Sequence, residues 1–94
     1  MATYILLGKY SPNSIKKISP DRTAKAVNLV KKLVGKVLSM HAVLGEFDLI
    51  FIVELPGNTQ AMEASLALYK MTEISFTTHP ALEIKAFDKL SSGK

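Results

Sequence analysis

Between residues 37 and 54 the chain sets apolar side chains at every second position on either side of Gly45-Glu46. Glycine takes the positive φ of a tight turn, so this pattern predicts a β-hairpin closed by a two-residue loop at Gly45 and Glu46. Folded that way, Leu44 faces Phe47, Ala42 faces Leu49, Met40 faces Phe51 and Leu38 faces Val53. Side chains alternate along a strand, so these apolar residues share one face, as a core beneath helices requires. The other face pairs Val43 with Asp48, His41 with Ile50, Ser39 with Ile52 and Val37 with Glu54. Half apolar and half polar, it calls for a second sheet or a ligand against it. A one-residue bulge would swap the faces along one strand.

The remaining elements are organised around this hairpin. Thr3 to Tyr10 reads as a strand so apolar that it is expected to be covered on both faces. Ser11-Pro12 opens a short helix through Ile15 and Ile18, and Ser19-Pro20 marks a kink or restart. From Asp21 a helix carries an apolar stripe of Ala26, Val27, Val30, Leu33 and Val34, with Gly35 as its left-handed stop. Asn58 caps a second helix over residues 59–72, whose polar stripe is no wider than Gln60, Glu63, Lys70 and Glu73. So narrow a stripe predicts cover from the sheet and from a neighbouring subunit. The last strand is expected through residues 74–78 and on from Ala81 to Phe87, with Pro80 placing it at an edge. Residues 1–90 form one domain and 91–94 a flexible tail. The order β-α-β-β-α-β predicts an α+β, ferredoxin-like fold with an antiparallel sheet and helices on one face. Its open face, with Val37, Val43, Ile50 and Ile52, predicts association of the chain with itself, as a homodimer or a higher homo-oligomer.

Composition narrows the functional classes. The 94 residues are 48% hydrophobic and 21% charged, which leaves room for one core. No apolar run approaches the roughly 20 residues of a membrane helix, so no membrane association is expected. No secretory leader is read at Met1-Ala2-Thr3, and cysteine is absent, which fits a reducing, cytoplasmic setting. Residues 1–36 hold eight of the twelve Lys and Arg and a single acid, Asp21. Seven of those eight are lysines, only Arg22 offers a planar fork, and no aromatic lies between Ser11 and Lys36 to stack on a base. The basic residues therefore read as a solvated helix face, with no nucleic-acid partner.

His41 and Asp48 are the sharpest chemical pair, diagonal on the mixed face of the predicted hairpin. They read first as a polar pair at an interface and second as a catalytic pair, with His41 a general base oriented by Asp48. Thr78 and His79, in the cluster Thr77-Thr78-His79-Pro80, are candidates to hold a small anion, alongside plain turn chemistry. Tyr4 and Tyr10 share a strand face and are candidates to line a ligand pocket between sheet and helices, alongside aromatic packing. The two histidines stand 38 residues apart without cysteine, so no metal spacing is read, and no glycine-rich loop suggests a cofactor.

With these elements in hand, the chain resembles the GYD-domain family, small bacterial and archaeal proteins of the dimeric α/β-barrel superfamily. The likeness is carried by TYILLGKYSP, DRTAKAV, LGEFDLIFIVELP and ISFTTHPA. The Gly-Tyr-Asp signature stands here as Gly45, Phe47 and Asp48 with Glu46 between, so a phenylalanine replaces the tyrosine. The resemblance implies a dimeric α/β barrel and no established activity. The leading expectation is a non-enzymatic module that binds a small organic ligand or drives assembly. The alternative is a cofactor-independent monooxygenase or isomerase acting on a small organic substrate. That range reflects how many functions one fold hosts.

Overall fold

Strand β1, Ala2–Lys9, alternates buried and half-covered positions along its length. The computed structural model describes residues 1–93. Tyr4, Leu6 and Gly8 point into the core, while Thr3, Ile5 and Leu7 lie on a face that is only partly covered. The expected cover on both faces of this strand is therefore corrected: its apolar run serves a core on one side and an open sheet on the other.

After β1, Ser11 and Ser14 each accept the other's backbone N–H, at 3.0 and 2.8 Å. This tight exchange gives a 3-10 turn over Ser14–Lys17 in place of the expected short helix, and Ile15 and Ile18 stay exposed. Ser19 then caps α1, Pro20–Lys32, accepting the N–H of Arg22 at 3.1 Å, with Pro20 in the first turn. The helix buries Ala26 and Val30 and partly covers Val27, Leu29 and Leu33. Its stop departs from expectation. Val34, not Gly35, takes the left-handed conformation, with φ 62°. Gly35 is required for another reason: a Cβ there would lie 2.5 Å from Leu55 and 2.6 Å from the Glu54 carbonyl.

Strands β2, Lys36–Ala42, and β3, Leu49–Leu55, pair as expected over Ser39↔Ile52, Met40↔Phe51, His41↔Ile50 and Ala42↔Leu49. A bulge at Leu38 then sets Val37 opposite Val53, so Val37 packs on the core and Leu38 turns outward. The faces assigned to these two residues are thereby exchanged. The two-residue turn is also corrected. Residues 43–48 form an open loop closed by Val43 N–H donating to the Asp48 carbonyl at 2.9 Å, with Gly45 at φ 140°.

Helix α2, Asn58–Thr72, buries Ala61, Ala64, Leu68 and Thr72. Gly57 occupies the cap position, and Asn58 instead accepts the Tyr4 hydroxyl at 2.6 Å, tying the helix start to β1. Met62, Leu66 and Tyr69 remain exposed, so within one chain only one side of the helix is covered. Strand β4, Ser75–Ala81, takes the edge position that Pro80 demands. It ends at Ala81. The continuation to Phe87 is instead helix α3, Ile84–Ser91, with no buried residue.

The sheet runs β2-β3-β1-β4, antiparallel throughout. This is the ferredoxin-like order, with α1 and α2 packed over one face. The core lies between, built on Leu6, Phe51, Val53, Leu55, Val30 and Leu68. Across the bare face run two rows, His41–Ile50–Leu7–Thr77 and Ser39–Ile52–Ile5–His79. Each is apolar in the middle and polar at the edges. No described helix is long and apolar enough to cross a membrane.

Candidate functional site

At one end of the core the helices and the sheet do not close. The edge helix α1 enters there through its capped first turn, β1 leaves at Tyr10, and β2 ends at Ala42. Between them lies a cavity of about 290 Å³. Its floor is formed by Met40, Leu49, Phe51 and Phe76 from the sheet, and its far wall by Leu68 and Ile74. The mouth is polar: Ser19, Arg22 and Thr23 from α1 face it, with Tyr10 opposite. Apolar walls with a few convergent polar groups are the usual make-up of a small-molecule pocket.

Two details of backbone packing shape the floor. Gly8 lets the Phe76 ring lie directly over β1, since a Cβ would sit 2.6 Å from that ring. Phe76 in turn meets Phe51 with ring centroids 5.1 Å apart and planes tilted by 41°. Arg22 shapes the mouth. Its Nη1 donates to the Ser14 carbonyl at 2.7 Å, and its guanidinium stands 5.7 Å from the centre of the Tyr10 ring, a cation–π contact. Tyr10 is held by its own N–H, which donates to Asp48 Oδ2 at 2.9 Å, while the Asp48 N–H donates to the Gly8 carbonyl.

The six residues singled out from the sequence are not gathered in one place. Tyr10 lines the cavity, and His41 borders it from the edge strand, though alternation turns its side chain toward the open face. Asp48 is engaged with the Tyr10 backbone, and among the described residues no hydrogen bond joins it to His41. Tyr4 is buried, bonded to Asn58, and lies outside the cavity wall. Thr78 and His79 fall on opposite faces of β4: Thr78 meets Ser65 of α2, and His79 meets Thr77 at 3.0 Å on the open side. His41 and His79 occupy the two outer strands, three strand spacings or roughly 14 Å apart. Among the described residues no group of three or more His, Cys, Asp or Glu is placed to hold a metal ion.

Arg22, Ser19 and Thr23 are site residues that periodicity did not single out. The one available signal was that Arg22 is the sole arginine in a run of lysines, set one turn after a Ser-Pro cap.

The GYD-domain model matches residues 4–90. The chain belongs to the GYD-domain family. No curated protein matches it. Solved structures with a similar fold include the leucine response regulatory protein LrpA of Mycobacterium tuberculosis, at TM-score 0.62 and 12% identity, covering 87% of this chain and 51% of that one. A glutamate-to-alanine mutant structure aligns at TM-score 0.60 and 12% identity, covering 87% and 50%. A glycine-to-threonine mutant of Rv3291c aligns at TM-score 0.58 and 10% identity, covering 88% and 51%. This GYD domain thus spans about half the length of those chains, and at such identity the likeness concerns the fold.

Proposed function

We infer that this GYD domain is a self-associating module that holds a small organic molecule in the cavity between α1 and the sheet. The observation that carries the reading is the cavity itself. It is a half-open cleft whose apolar walls lie behind a convergent polar mouth, the make-up that suits a small-molecule occupant.

Self-association is supported by the bare sheet face, centred on Ile5, Leu7, Ile50 and Ile52, and by the outward side chains of α2 and α3. The enzymatic alternative finds support only in His41 at the cavity border. Its proposed carboxylate partner is committed to the Tyr10 amide, and among the described residues no acidic side chain stands on the cavity wall. The binding reading is therefore preferred.

The test is a thermal-shift screen of small organic compounds against the wild type and Ala26→Leu, which fills the cavity from α1. Compounds that raise the melting temperature of the wild type and leave the variant unmoved support the site. Equal shifts in both proteins place binding elsewhere and overturn it.

A further inference from the structure

We propose that the occupant is a small organic monoanion, with an aromatic or branched apolar body in the cavity and one carboxylate gripped by the Arg22 guanidinium. This rests on the cavity reading given above and adds the ligand class.

Charge decides the class. Among the described residues Arg22 is the one Lys or Arg on the wall, and no Asp or Glu stands there to neutralise it. Among the described residues the ion pairs are Lys17 with Glu73 and Lys25 with Asp21, so Arg22 has no carboxylate partner. Its fork is nonetheless fixed, by the Ser14 carbonyl on Nη1 and by the Tyr10 ring beside it. One of five N–H donors is used in that way, and the others find no partner among the described residues. A guanidinium so placed matches a carboxylate with two parallel hydrogen bonds.

The backbone amides of Arg22 and Thr23 at this mouth are already engaged. The Arg22 N–H donates to Ser19 Oγ at 3.1 Å, and the Thr23 N–H to the Ser19 carbonyl at 3.2 Å. Recognition of the negative group therefore falls to the side chain and not to the helix end. A single fixed cation balances one negative charge; His41, the other basic side chain at the border among the described residues, is turned by strand alternation toward the open face and away from a phosphate dianion in the cavity. Behind the mouth, Phe51, Phe76, Leu68 and Ala26 offer an apolar lining for a body the size of a bicyclic ring.

The experiment is isothermal titration of the full chain with 1-naphthylacetate and its neutral isostere 1-naphthylacetamide. The same titrations are run on Arg22→Gln, Arg22→Lys and Ala26→Leu, each first checked by circular dichroism. The wild type is expected to bind the acid at least about tenfold more tightly than the amide, as a charge-assisted hydrogen bond provides. Arg22→Gln should abolish that preference by weakening the acid far more than the amide, and Ala26→Leu should weaken both ligands. Should Arg22→Gln fail to fold, the acid-to-amide ratio of the wild type decides alone. Equal binding of acid and amide by the wild type overturns the anion class and leaves the cavity site standing. Absence of binding for both, with no difference between wild type and Ala26→Leu, overturns the class and the site together.

Discussion

Val34 ends α1 with φ 62°, a conformation that a β-branched side chain resists. Its side chain is 72% exposed, so no packing repays the strain. Val34→Gly should therefore stabilise the domain by about 1 kcal/mol, read as a rise of about 4–8 °C in melting temperature. The neighbouring glycine has the opposite character. Gly35→Ala forces a Cβ to 2.6 Å from the Glu54 carbonyl, a backbone atom that cannot swing aside. A loss of about 1–3 kcal/mol is expected in a denaturant melt, the usual penalty of overpacking. Gly57→Ala is the control: the nearest atom to a new Cβ is the Gln60 amide oxygen at 3.7 Å, and stability should change little. At Asp48 the carboxylate accepts the Tyr10 N–H in a partly buried setting. Asp48→Ala should cost about 1–2 kcal/mol through that lost hydrogen bond.

The elements differ in how openly the sequence announces them. Ser19-Pro20 states the start of α1 without ambiguity, because cap chemistry and a fixed proline φ act locally. The pairing of Ser39–Ala42 with Leu49–Ile52 follows from period-2 alternation on either side of a reversal centred at Gly45-Glu46. The bulge at Leu38 was not legible, since nothing local marks it. It lets β2 present Val37 to the core after the close approach of Gly35 to β3. Residues 82–87 misled for another reason. Leu82, Ile84 and Ala86 alternate like a strand, yet Ile84, Phe87 and Leu90 also lie three apart, and short apolar runs fit both periods. Because α3 buries nothing within its own chain, its removal should leave the folding free energy of a single chain within about 1 kcal/mol. Self-association measured by sedimentation should weaken, since the helix offers Ile84, Phe87 and Leu90 to a partner.

As a whole the molecule is a slab of 49 × 30 × 18 Å, its thin dimension matching one helix layer on one sheet. The far side of that sheet carries Ile5, Leu7, Ile50 and Ile52 in its middle strands, the apolar patch on which the proposed self-association rests. Ile50→Lys should therefore convert the assembly to monomer in light scattering while leaving the helix-side core intact, and an unchanged assembly would move the interface elsewhere. The β-α-β-β-α-β order was legible because each element declares its own period, whereas of the residues singled out from the sequence only Tyr10 and His41 lie along the cavity. Arg22 gains its meaning from the 3-10 turn and from Tyr10, which bring a backbone carbonyl and a ring to it from other parts of the chain. The measurement that tests the account most directly is native mass spectrometry of the gently purified protein beside its Ala26→Leu variant. The expected spectrum shows an oligomer of even subunit number that carries the mass of one small molecule per chain, with that mass lost from the variant. A bare monomer would contradict it.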